Sequence, residues 1–462
     1  MATSAAPTDR FADQWWETSP GIWNRQMCPM ERWMLKMASD IGPHTKEHLT
    51  ISVALDLVMS RPMDMFLLDL QRAWLNIRRN HGTLASTLNR ETKTWQYIDP
   101  RMDGELAKWV SETFVLTAGD VLELRELMPP PRRPTLYVLI YSNQIMLRAP
   151  PMFIDFRGLM LLAGNLLKLA TAAVKEHAVW DAVELSPPYH TLASLPQHTY
   201  HDKNKANQHW KEYKSNIPSM ALPTKIPEWK CLRTRPGQTR RCIATLDVQQ
   251  TEELCQELGK TGTHVYHATH AAIACATKKL NVNVDSDMYT GVFYLDGRGA
   301  YIEGYHPAVV YSTAWFPMIR VTDFQSTLSQ FRHDYQETVR DRKRPNVVDE
   351  MIELALPRIG GSDDFVSSEA LLTNLGAPSQ CIQRHYPDDV NVANIDFHCV
   401  ILTRAISVYV YEDQQRYTLM AFYNDSYHDD SHVNYFLHLV LKELTTALGV
   451  SWCRMPPRPA GM

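Results

Sequence analysis

The chain has 462 residues, 45% of them apolar, with 12 Trp and 20 Tyr. That length exceeds one ordinary core and predicts two domains, with enough apolar material to exclude disorder beyond the ends. A formal net charge of −4, with Lys and Arg scattered along the chain, leaves no basic stripe for nucleic acid and no polybasic helix for a membrane surface.

Residues 1–13 are polar and lack the apolar stretch of a secretory signal. The next strong pattern is a helix over 62–80. Ser60 is placed to cap it, Pro62 sits near its first turn, and Phe66, Leu67, Leu70, Trp74 and Ile77 share one face. Thr135–Tyr141 and Gln144–Arg148 read as a hairpin around Ser142-Asn143. That hairpin feeds Pro150-Pro151-Met152-Phe153-Ile154-Asp155-Phe156-Arg157-Gly158, after which Leu159–Lys175 is apolar nearly all round, as a buried helix is. The longest apolar run, Leu159–Val174, is interrupted by Asn165 and Lys168 and is short for a membrane span.

From about Ser186 to Gly237, Pro, Lys, His and Asn accumulate and the apolar period weakens, the mark of a linker with some local structure. The expected domains are therefore 1–190 and 241–462, joined by 191–240. In the second, Arg241–Leu246 reads as a strand, and Thr251–Leu258 and Thr263–Lys279 as helices. Ile406–Tyr411 and Tyr417–Tyr423 form a second hairpin, and His432–Leu448 a last helix capped by Asp429, Asp430 or Ser431. The eight cysteines include no Cys-x-x-Cys pair, which argues against a zinc site or a disulfide framework and suits a reducing, cytoplasmic setting.

Several segments, in order, resemble the CoA-dependent acyltransferase superfamily, in particular fungal alcohol O-acyltransferases of specialised metabolism and condensation domains of nonribosomal peptide synthetases. Ala73–Leu84 is similar to the superfamily's first long helix. Leu147–Gly158 is similar to the strand and loop that carry its His-x-x-x-Asp-Gly signature. Leu246–Leu254 and Gly262–Ala268 are similar to the start of its second domain. Leu371–Gly376 and Phe422–Asn424 are similar to two later strands. The resemblance implies an α/β, two-domain chloramphenicol-acetyltransferase-like fold with a central tunnel between the domains. Donor and acceptor would enter from opposite ends and meet at the signature histidine.

Two departures bear on chemistry. The aspartate is Asp155, but Pro151 stands where the histidine belongs, and Phe156 replaces the following glycine. Proline cannot take a proton from an acyl acceptor. Tyr294-Leu-Asp-Gly-Arg298 resembles the segment whose arginine pairs with the signature aspartate, so the resemblance implies a structural Asp155–Arg298 ion pair.

The literal His198-x-x-x-Asp202 lies in the linker with no strand before it and is assigned to chance. His264, His267 and His270 step by three along a helix, and His428 with His432 flank a helix start. Both groups read as packing or capping rather than metal ligands. No metal is expected. His398, two residues after Asp396 on a strand, is a candidate displaced base, with Asp155 a second weak catalytic candidate. Pro151, Arg157, Tyr294, Thr373 and Asn374 are candidates for substrate contact, and the resemblance implies a hydroxyl on the Thr373 strand that binds the reacting carbonyl oxygen.

Two reactions fit. One is acyl transfer from CoA or a carrier-bound thioester to a hydroxyl or amine, by a route without the histidine. The other is base-independent cyclisation, of a pericyclic kind, or isomerisation of a polyketide or terpenoid in the same tunnel. A non-catalytic helper of a megasynthase ranks last. The expected partners are a small-molecule metabolite and, for the first reaction, a carrier protein; the chain is expected to be a monomer and to need no cofactor beyond the acyl donor.

Overall fold

Apolar residues at every second position (Ile51, Val53, Leu55 and Leu57) give the strand Ile51–Val58 one face that packs against helices. In this computed structural model, that strand lies inside a six-stranded mixed sheet. The model describes residues 14–40, 46–173, 185–217, 219–231, 234–283, 285–298, 310–340, 344–358, 369–451 and 455–459. The sheet order is His385–Tyr386, Val390–Cys399, Ile51–Val58, Gln144–Ala149, Thr135–Leu139 and Phe114–Thr117. The helices Met63–Asn80 and Phe156–Thr171 cover the apolar face and share a core with Phe66, Leu70, Trp74, Leu159 and Leu166.

The first helix spans Met63–Asn80, yet Ser60 does not cap it: Pro62 is the N-cap and offers no side-chain bond. The second starts three residues earlier than its apolar run, because Asp155 caps it through the Gly158 N–H. Midway along it, Gly164 presses on the Cys381 carbonyl, which a Cβ at that position would overlap.

Within the expected linker the chain forms a helix, Tyr200–Ser215, closed by a capping box of Thr199 and Asp202. Ala206, Trp210 and Tyr213 bury its inner face, beside the helix Arg344–Ala355. Its outer face is Lys, Asn, Gln and Glu, and this composition hides the helix in the sequence.

A second, four-stranded sheet has the order Ala370–Gly376, Ile406–Asp413, Arg416–Asn424 and Thr239–Thr245. The helices Val248–Lys260, Val265–Leu280 and Asp430–Leu448 pack around it in a separate core. The hairpin turns through Gln414 and Gln415, both at positive φ (50° and 61°). The last helix does not use its acidic residues as side-chain caps. Asp429 makes no cap bond, and Asp430 accepts a hydrogen bond from the Tyr423 hydroxyl (2.6 Å).

The two halves interlock. The strand Val390–Cys399, late in the chain, pairs with Ile51–Val58, placing His398 opposite Ser52. No helix among the described residues is long and apolar enough to cross a membrane.

Candidate functional site

The strand Gln144–Ala149 runs into Pro150-Pro151, and the Phe153 N–H donates to the Pro150 carbonyl (3.1 Å) to close a turn. Pro151 is buried and carries no titratable atom. The turn delivers Asp155 to the head of its helix, where every oxygen is used. Oδ1 accepts from the Gly158 N–H (2.7 Å), Oδ2 from the Tyr311 N–H (2.8 Å), and Arg298 Nη1 donates to both, at 2.9 and 3.0 Å. A carboxylate so occupied fixes the loop and has no lone pair left to act as a base.

Arg298 also donates to Asp296 Oδ1 (3.0 Å), and its guanidinium lies 5.0 Å from the centre of the Tyr311 ring. Burial, and next the charge of Asp155, hold the Asp296 carboxyl above its ordinary range. Arg157 joins the same network from the other side. Its Nε lies 3.4 Å from Asp296 Oδ2, and it donates to the Leu375 carbonyl (3.3 Å) and to Gln380 Oε1 (3.0 Å). Gly376, at φ +69°, leaves room for this guanidinium. Arg157 is thus a strut between the two halves, committed to protein groups.

Phe156, in the place of the signature glycine, closes the seam between the sheets. Its ring lies 5.2 Å from Tyr409 of the second sheet and 6.2 Å from Phe397 of the first, both edge-on. Tyr409 is paired in register with Thr373, so the two side chains share a face. Thr373 is half-buried, and among the described residues its hydroxyl has no partner. Asn374 instead makes a local turn, its Oδ1 accepting from the Gly376 N–H (2.9 Å).

The Tyr294 hydroxyl accepts from Trp33 Nε1 (3.0 Å), and burial pushes that phenol up to about 12. Burial also pushes the Cys399 thiol up to about 12. Trp33, Phe397, Cys399 and Tyr409 were not singled out from the sequence as site residues. The one available signal was the aromatic run Val408-Tyr-Val-Tyr411, which reads equally well as core.

Asp396 does not orient His398. Arg125 Nη1 holds one of its carboxylate oxygens at 2.6 Å and Arg241 Nη1 binds the other. Burial works against the Asp396 charge, yet these two cations hold its carboxyl below the usual range.

Several other histidines singled out from the sequence pack or bond within the protein. His264 Nδ1 caps its helix at the Tyr266 N–H (3.2 Å), and His270 stacks on Phe331 at 4.2 Å. His428 Nε2 bonds the Arg404 carbonyl (2.7 Å), and His198 lies beside Asp349 and Glu350. Among the described residues, no group of three His, Cys, Asp or Glu side chains is placed to hold a metal ion.

No family model matches the chain. Over 461 residues it is 21% identical to acetyltransferase pigO of Monascus ruber, a span covering 94% of this chain and 98% of that protein. Among solved structures, TRI3 trichothecene 15-O-acetyltransferase of Fusarium sporotrichioides matches with a TM-score of 0.78 at 15% identity, covering 96% of this chain and 100% of that one. The EpoB NRPS cyclization-docking bidomain of Sorangium cellulosum matches with a TM-score of 0.65 at 13% identity, covering 93% and 86%. The fold is the two-domain chloramphenicol-acetyltransferase-like α/β fold. Along nearly its whole length the chain is similar in sequence to the Monascus ruber acetyltransferase and in fold to these solved structures.

Proposed function

We propose that this protein is an acyltransferase of specialised metabolism that moves a small acyl group, acetyl first among the candidates, from a CoA or carrier thioester to a hydroxyl of a metabolite. The observation that carries this reading is a full-length match to acetyltransferases together with an intact Asp155–Arg298 lock and a Thr373 hydroxyl with no partner among the described residues, in register with the Tyr409 that packs on Phe156.

In the proposed reaction the acceptor oxygen attacks the thioester carbonyl, the C–S bond breaks, and the acceptor's proton leaves with the thiolate or to water. Pro151 cannot take that proton, so rate enhancement comes from positioning and from a hydrogen bond of Thr373 to the developing oxyanion. General-base catalysis, worth about 10²–10⁴-fold, is forgone.

A second reading draws on Pro151 and the aromatic seam of Phe156, Phe397 and Tyr409, which suit a cyclisation or isomerisation that requires no base. The two separate on one assay. Purified protein is incubated with acetyl-CoA and a panel of polyketide and terpenoid alcohols, and free CoA thiol is measured. Acceptor-dependent CoA release supports acyl transfer. Conversion of a panel compound to an isomer of the same mass, without CoA release, favours the second reading and removes the first.

A further inference from the structure

A group of charges at the seam, on the sheet face opposite Phe397, is not used by the proposed reaction. Arg148, Ser52 and His398 form one cross-strand row on the first sheet and therefore project to the same side. The short helix Val121–Glu126 lays Arg125 over that row, its Nε donating to Ser52 Oγ (3.1 Å). Arg241 reaches in from the second sheet and shares Asp396 with Arg125. Lys46 lies alongside, 3.7 Å from Glu126.

Four cations, Arg125, Arg148, Arg241 and Lys46, thus face two carboxylates, Asp396 and Glu126. The nearby Glu47 is paired with Arg90 (3.1 Å), and its charge also acts on Arg148. Arg148, only 4% exposed, donates to the Met128 and Pro129 carbonyls and has no carboxylate in contact. His398 is 9% exposed, and no described residue hydrogen-bonds its ring. Burial first, then Arg125, Arg148, Arg241 and Lys46, hold it well below its ordinary value, so it is neutral. Arg125 and Arg148 are buried while Arg241 and Lys46 reach solvent, and this excess of positive charge beside a ring with no described partner favours an anion.

We propose that Arg241, Arg125, Ser52 and His398 form an oxyanion-binding site at the seam, which takes the carboxylate or phosphate of a small-molecule ligand. Arg241, with a side chain 37% exposed, is the open edge. Among the described residues it hydrogen-bonds only through Nη1, leaving Nε and Nη2 for a ligand. The Ser52 hydroxyl accepts from Arg125 and keeps its own hydrogen to donate. Neutral His398 adds one N–H. Repulsion by the same cations excludes a metal ion. The rings of Phe422 and Tyr409 stand between His398 and Phe156, so a ligand anchored here has its charged end set apart from the Asp155 loop.

The test is a titration of the intact protein with inorganic phosphate and, separately, with acetate at constant ionic strength, followed by calorimetry and by thermal melting. The expected result is saturable binding of at least one ion, weakened about tenfold or more by Arg241→Gln and by His398→Gln, a loss of the size one hydrogen bond to a charged group gives. Arg241→Lys keeps the charge and retains binding, and Arg240→Gln, at an exposed neighbour, has no effect. Binding of phosphate but not acetate assigns a phosphate-bearing ligand, and the reverse a carboxylate. Absence of saturable binding overturns the proposal. So does a rise in melting temperature that all variants share, which is the general salt effect of phosphate.

Discussion

At the scale of single residues, the structure separates what holds the loop from what could act in it. Asp155 has all its lone pairs engaged, and among the described residues Arg298 is the one charged partner that bonds both oxygens. Arg298→Ala strands a largely buried carboxylate, and an expected loss of about 3–5 kcal/mol of stability, read by urea unfolding, follows. An unchanged unfolding midpoint would show that the pair carries no weight. Thr373 is the opposite case, a hydroxyl with no partner among the described residues. If it binds the oxyanion, Thr373→Val lowers kcat by about 10²–10³-fold with little change in KM, and Thr373→Ser restores most of it. Asp155 and Arg298 were legible in the sequence because their motifs are local. The roles of Arg157 and Asp396 were not, since each is decided by a partner more than a hundred residues away: Leu375 and Gln380 for one, Arg125 and Arg241 for the other.

At the scale of elements, apolar period found the helices Met63–Asn80, Phe156–Thr171, Val248–Lys260, Val265–Leu280 and Asp430–Leu448 and both hairpins, but not Pro29–Asp40, Phe324–Arg340 or Arg344–Ala355, while ends and caps depended on contacts that period does not encode. The helix of Asp155 begins at Phe156 because the carboxylate accepts the Gly158 N–H, a bond invisible to a hydrophobic pattern. Tyr200–Ser215 escaped because only three of its residues, Ala206, Trp210 and Tyr213, form its apolar stripe. Gly164 offers a test at this scale. Its close approach to the Cys381 carbonyl admits no Cβ, so Gly164→Ala pushes the Phe156–Thr171 helix off the segment at 381. The expected cost is about 1–3 kcal/mol in unfolding free energy. A variant as stable as the parent would mean that the helix can shift freely.

At the scale of the whole molecule, the halves are joined by an exchanged strand and by ion pairs across the seam, so the seam forms only when both fold. A strand such as Val390–Cys399, joining a sheet whose members other than the adjoining His385–Tyr386 lie more than two hundred residues earlier, leaves no trace in local sequence. The buried histidines give the molecule a pH profile. Burial lowers His48 to about 3, and His267 and His428 to about 4. Each is neutral when folded and binds a proton when unfolded below about pH 6.5. The unfolded state therefore binds more protons between about pH 4 and 6.5, and stability falls by about 1.4 kcal/mol per pH unit for each such histidine as pH drops through that window. Above it, these groups contribute no slope. Urea midpoints at pH 5 and pH 7.5 check this, and equal midpoints would contradict it.

The most direct measurement concerns position 151. If the scaffold of an acyltransferase is intact around Asp155 and lacks only its proton acceptor, Pro151→His supplies the missing group in place. The expected result is acceptor-dependent release of CoA from acetyl-CoA that rises by about 10²–10⁴-fold over the parent and titrates with an imidazole. A folded Pro151→His protein that transfers acyl groups no faster than the parent, at any pH between 6 and 9, would contradict the placement of this loop at the reacting centre.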